Sequence, residues 1–167
     1  QLLSCTNHLY QISKNVFFKM NLNIFTYTKN DINDVLELLS LGFNHSFSEE
    51  RWLWLHHENL LAPSSIILVR HEDKLVGIYS VIRKYINYKG NRIVGGRDID
   101  PVVHPDYRGK GIFSMLLNEG KQRFSEIEIF YNFANEKSSP GFIKNGWSKI
   151  VYRKLVVINL PVIRDFY

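Results

Sequence analysis

At 167 residues the chain has the length of one domain, enough to bury roughly two-thirds of the surface that its unfolded form would expose. Its 45% hydrophobic and 22% charged residues are those of a soluble globular protein, and its 21 basic residues, net charge +5, are interspersed with 16 acidic ones, without the Lys/Arg run that nucleic-acid binding would favour. The one cysteine, Cys5, excludes an intrachain disulfide and a thiolate metal cluster and fits a reducing cytoplasm.

Residues 1–20 lack the apolar run and small-residue cleavage site of a signal peptide. They read as an N-terminal extension, with Met20 as an internal start, ahead of a single domain over 21–167. Asn21 to Tyr27 reads as a strand, and Asp31 is placed to cap a helix with the apolar face Ile32, Val35, Leu36, Leu39 and Phe43. Ser48, Glu49 and Glu50 open a second helix carrying Trp52, Leu53 and Leu55. One of Trp52 and Trp54 belongs to the core and the other borders a cleft. The adjacent His56 and His57 lack the i, i+4 spacing of a metal pair and are read as surface or pocket residues.

From Ser65 the period changes. Ile66 to Val69 is a strand, Glu72-Asp73-Lys74 a turn and Leu75 to Tyr88 a longer strand, and Tyr88-Lys89-Gly90-Asn91 has the chemistry of a tight hairpin. Asn91 to Val103 returns antiparallel. A helix from Gly111 to about Phe124 follows, then a strand Ile127 to Phe133, a short helix near Gly141 and a last strand Trp147 to Val157. The apolar stretch Leu155 to Ile163, interrupted by Asn159 and Pro161, is far short of a membrane span. Tyr167 comes so soon after it that the native protein is expected to run on. Antiparallel strands followed by strand–helix–strand units predict an α+β fold of α/β/α layers, with a mixed, mostly antiparallel central sheet and helices on both faces.

The most informative stretch is Val102 to Phe113, V-V-H-P-D-Y-R-G-K-G-I-F. Val102 and Val103 end a strand, Pro105 stops it, and Ile112, Phe113, Leu116 and Leu117 recur at helical spacing. Between them Arg108, Gly109, Lys110 and Gly111 leave main-chain N–H groups free at a helix N-terminus, where peptide dipoles favour an anion and glycine allows close approach. Taken alone, R-G-K-G is only a basic loop with two turn glycines. With the order of elements around it, the segment resembles the acyl-CoA-binding motif of the GNAT N-acetyltransferase superfamily, Arg/Gln-x-x-Gly-x-Gly/Ala after a strand. Arg108, Gly111 and Phe113 occupy its three fixed places, and Phe113 is larger than the pattern's small residue.

The resemblance covers about Leu22 to Ile158. It implies an acetyl-CoA-dependent N-acetyltransferase with a small-molecule or peptide amine acceptor, without metal or membrane partner, and compatible with a homodimer. The cofactor-binding residues would be Val102, Val103, Arg108, Gly109, Lys110, Gly111, Ile112, Phe113 and Asn135. In the family a disrupted central strand turns a backbone N–H toward the thioester carbonyl, and Val102 and Val103 would be that backbone. Pro101, lacking a ladder donor, permits such a bulge. A helix end supplies only about 0.3–1 kcal/mol to an exposed phosphate, against the roughly 8 kcal/mol of micromolar binding. Pantetheine amides must add strand-like bonds in a gap between Val102 and Ile129, with Arg108 and Lys110 on phosphate oxygens.

An amine of pKa about 10.4 costs roughly 4.6 kcal/mol to hold neutral at pH 7, so a base is useful. Asp98 and Asp100 are the candidates, sharing a face if their strand is regular; sheet-end solvation or pairing with Arg97 is the alternative. His104 at the loop entrance suits a structural or phosphate-side role better than a base. Asn135 to Trp147 resembles the family's second motif, ending Tyr-x-x-x-Gly-Phe. Gly146-Trp147 match that ending, but Phe142 stands in the place of the tyrosine acid, leaving Ser138, Ser139, Tyr131 or water to serve the thiolate. Asn135 could bind the cofactor's amide arm or cap a helix. Two other classes compete: a non-catalytic acyl-CoA-binding module, and a basic nucleic-acid-binding domain.

Overall fold

The structure is a computed structural model that describes residues 20–58 and 61–150. Residues 1–19 of the N-terminal extension and residues 151–157 of the expected last strand lie outside these residues; Trp147 to Ile150 carry no regular structure. The described strands are β1 Leu22–Thr26, β2 Ser65–His71, β3 Lys74–Tyr88, β4 Asn91–Val103 and β5 Ile129–Tyr131. The helices are α1 Ile32–Phe43, α2 Glu49–His56, α3 Ile112–Arg123 and α4 Ser139–Lys144, with short 3-10 turns at Lys29–Asp31 and Pro105–Tyr107.

The sheet runs β1-β2-β3-β4-β5, antiparallel throughout except that β5 lies parallel to β4. Ile66 to Val69 are all buried because β2 is covered on both faces. On one side Ile66, Leu68, Ile78 and Val102 meet Val35, Leu38 and Leu39 of α1 and Trp52 of α2. On the other, Ile67, Val69, Tyr79, Val81 and Val103 meet Ile112, Leu116 and Leu117 of α3 and Phe142 of α4. The hairpin turns at Lys89 and Gly90, both with positive φ. No helix among the described residues is long and apolar enough to cross a membrane.

Local expectations change in four places. Asp31 sits at the N-cap of α1 without capping it: its carboxylate instead accepts from Thr28 N and Oγ1 at 2.9 and 2.8 Å and pairs with Arg70 at 3.1 Å. The buried face of α1 uses Leu38, whereas Phe43 is 38% exposed at the helix end. Strand β5 is only Ile129–Tyr131, because Ile127 turns into the core on a bond to Phe124 O and β4 offers no partner beyond Arg97. His56 is buried, one turn from Trp52 with ring centroids 3.8 Å apart, while Trp54 is the exposed tryptophan. Neither ring nitrogen of His56 has a partner among the described residues, and burial depresses its pKa to about 3.

Candidate active site

The site begins with a fault in the sheet. Ile78 pairs with Val102 but Ser80 pairs with Ile99, so Tyr79 faces two residues of β4, Asp100 and Pro101. Pro101 has no N–H to lose, and Asp100 takes up the irregularity at φ 48, a left-handed conformation uncommon outside glycine. Strand β5 pairs only Ile129, Phe130 and Tyr131 with Gly95, Gly96 and Arg97. Beyond Arg97 the two strands part, and no other strand among the described residues pairs with that edge of β4.

His104 N donates to Val76 O at 2.9 Å, so the alternation of an antiparallel ladder turns the N–H and C=O of Val103 away from β3, toward that open side. Val103 O accepts from Arg108 Nε at 3.3 Å, and Arg108 Nη2 reaches Gly42 O at 3.5 Å. Arg108 therefore braces the loop against β4 and the end of α1 while also lining the cleft described below. Lys110 Nζ lies 4.6 Å from the centre of the Tyr107 ring. His104 Nδ1 accepts from Asp106 N, the structural role at the loop entrance.

Gly111 caps α3 with φ 82, and nothing stands within 4 Å of where a side chain would begin. No acceptor within the described residues closes on the N–H groups of Lys110, Gly111 or Ile112. Arg108, Gly109, Gly111, Ile112 and the edge of β4 at Val102 and Val103 border one cleft of about 670 Å³, lined also by Phe43, Ser114, Lys137, Ser138, Lys144 and Asn145. Phe113 is accommodated by Gly141, where a Cβ would stand 2.9 Å from Phe113 Cε1. Phe142, buried between Phe113 and Trp147, completes an apolar wall.

Asn135 lines the cleft and caps locally at once: its Oδ1 accepts from Lys137 N at 3.0 Å and Ser138 N at 2.9 Å. Val102 and Val103 flank the opening, which faces the segment after Tyr131 because Ile129 itself is paired to Gly95. Ser114, Phe43 and Lys144 are lining residues that no motif marked. Ser114 was legible in principle, since the third residue after a helix-capping glycine looks back over the helix mouth.

The bulge separates the two aspartates. Asp98 is buried on the α3 side, accepting from the Tyr79 hydroxyl at 2.7 Å. Its second oxygen has no partner among the described residues, and burial raises its pKa to about 7 against the pull of Tyr79 and Lys121. Asp100 is half-buried; desolvation raises its pKa, countered by the charges of Arg51, Arg97 and His45. A regular strand would have turned both to one face, but the extra residue gives each its own surroundings. Among the described residues no three His, Cys, Asp or Glu side chains gather as a metal site.

A family model described as an acetyltransferase (GNAT) domain matches residues 23–149. No curated protein matches the chain. Among solved structures, an acetyltransferase of Trypanosoma brucei is similar at 22% identity and TM-score 0.64, covering 82% of this chain and 99% of its own. Glucosamine-6-phosphate N-acetyltransferase of Arabidopsis thaliana is similar at 16% identity and TM-score 0.61, over 83% and 99%. An aminoglycoside acetyltransferase from an uncultured soil metagenome is similar at 13% identity and TM-score 0.61, over 84% and 98%. At these identities the likeness to solved structures is one of fold.

Proposed function

The chain belongs to the GNAT acetyltransferase family, and from that membership we propose that it moves an acetyl group from acetyl-CoA to a primary amine by direct transfer within a ternary complex. One observation carries the reading: β4 and β5 part beside a helix mouth whose first N–H groups are unclaimed. The fit is chemical as well as spatial. A pyrophosphate needs several donors and no side chain in its way, which Lys110, Gly111 and Ile112 offer. An arm of amides needs a strand edge, which Val103 offers.

Bound there, acetyl-CoA supplies the acetyl group as a thioester. Val103 N–H, fixed by its place in the ladder, donates to the carbonyl oxygen as that oxygen gains charge. Asp100 takes the proton of the attacking amine; burial raises its pKa and so strengthens it as a base, against the opposing charges of Arg51, Arg97 and His45. Asp98, sealed on Tyr79, holds the bulge from behind. With Phe142 lacking a hydroxyl, the thiolate departs at the Asp100 end of the fork, an arm's length from the α3 donors, and takes its proton from water, whose hydroxide takes up the proton held by Asp100. The apolar wall of Phe113 and Phe142 keeps water from the other side of the thioester.

Thiol release from acetyl-CoA, followed over a panel of primary amines, tests this. Amine-dependent release with stoichiometric acetylamide supports transfer. Tight coenzyme A binding with no amine-dependent release favours the second reading, a non-catalytic acyl-CoA-binding module, which the missing tyrosine hydroxyl at Phe142 supports.

A further inference from the structure

The fork between β4 and β5 carries charge that coenzyme A does not account for. Arg97 is the last residue of β4 paired to β5, so its side chain leaves the sheet at the point where the strands part. Its guanidinium lies 5.0 Å from the centre of the Phe133 ring. Arg51 stands in the first turn of α2, which Ser48 caps by accepting from Arg51 N. Neither guanidinium forms an ion pair or a side-chain hydrogen bond among the described residues, though both act on Asp100 electrostatically. Had they served only to neutralise Asp100, at least one would have closed on it.

Aromatic rings frame the same place. Phe43, at the cleft, lies 5.7 Å from Phe47, and His45 stacks on Phe47 at 4.3 Å with its Nδ1 donating to Ser46 O, which leaves Nε2 outward. Although Asp100 acts on both and Glu49 and Glu50 share the turn of Arg51, neither guanidinium closes on a carboxylate among the described residues, so their forked donors stay free before an acceptor enters. An uncharged amine would leave these donors unused; a partner with a carboxylate or phosphate would engage them.

We infer that the acceptor is an amine carrying an anionic group, held by Arg51 and Arg97 while the amine nitrogen faces Asp100. This rests on the transferase reading above. The anion, carboxylate or phosphate, makes the shared contact, and the aromatic frame of Phe43, Phe47 and Phe133 covers the carbon skeleton between the two ends.

Matched acceptors test it: tyrosine against tyramine for a carboxylate, phosphoethanolamine against ethanolamine for a phosphate. In at least one pair the anionic member is expected to have a kcat/KM tenfold or more above its neutral partner. Arg51→Gln and Arg97→Gln should each bring that ratio toward one, while Arg51→Lys restores part of it. Equal kcat/KM within both pairs, or ratios unmoved by either glutamine variant, overturns the inference. If no amine is acetylated, the transferase reading has failed, and direct calorimetry still decides the site. Saturable binding of tyrosine or phosphoethanolamine to the coenzyme A-loaded chain, lost in Arg97→Gln, supports it, and absence of binding overturns it.

Discussion

Asp98 and Asp100, two positions apart, show how environment divides one residue type into two roles. Asp100→Asn removes the proposed base and is expected to lower kcat by about 10²–10⁴-fold, with the wild-type rate falling on acidification above the ordinary carboxylate range, as its raised pKa requires. A pH–rate profile checks both. Asp98 binds its proton more tightly folded than unfolded, so its favourable contribution is complete below about pH 4 and is lost as pH rises through about 7. Asp98→Asn keeps an oxygen for the Tyr79 hydroxyl and carries no charge. The variant should therefore gain on the wild type between pH 4 and 8 and exceed it by on the order of 1–3 kcal/mol at pH 8, read from urea unfolding. Parallel stability curves would place the carboxylate's cost elsewhere. The separation of the pair was hidden in the sequence because a bulge is a property of pairing: D-I-D-P states that Pro101 tolerates one, and only the register with Tyr79 places it.

Elements were most legible where local chemistry and fold agree. Lys89-Gly90 turns because both residues must take positive φ, and β4 ends at Val103 because Pro105 follows two residues later. Ser48 caps α2 as its type predicts. Asp31 does not cap α1, because Arg70, 39 residues away, and Thr28 compete for the same carboxylate. His56, expected at the surface or in a pocket, is buried, because its four-residue spacing from Trp52 puts it on the same core-facing side of α2. The mouth of α3 gives the sharpest test at this scale. Gly111→Val forces a β-branched residue to φ 82 with open space around its Cβ, so the damage falls on the ligand more than on the neighbours. Stability should drop by about 1–2 kcal/mol, while coenzyme A affinity falls tenfold or more. Equal affinity by calorimetry would mean that the pyrophosphate lies elsewhere.

At the scale of the molecule, the β2-β3-β4 meander and the helices on both faces follow from the sequence pattern, since strands joined by short turns pair as hairpins and β5 returns parallel to β4 after its crossover helix. The antiparallel pairing of β1 with β2 across two helices is set by packing. What the pattern did not disclose is that β5 is too short to close the sheet. That shortness turns a connected sheet into a forked one, with Val103 on the open edge, the donors of α3 at one end and Arg97 at the other. Phe113 and Phe142, both departures from the family's motif residues, pack on one another across Gly141, so the two exceptions are one adjustment of the wall.

The account's centre is the pairing of that helix mouth with the open edge, and amide NMR of the full ¹⁵N-labelled chain during a coenzyme A titration tests it most directly. Saturable shifts concentrated at Lys110, Gly111, Ile112 and Val103, with the β2–β3 amides unmoved, are the predicted result. Shifts scattered over the basic surface, or none at Gly111 and Val103, would contradict it.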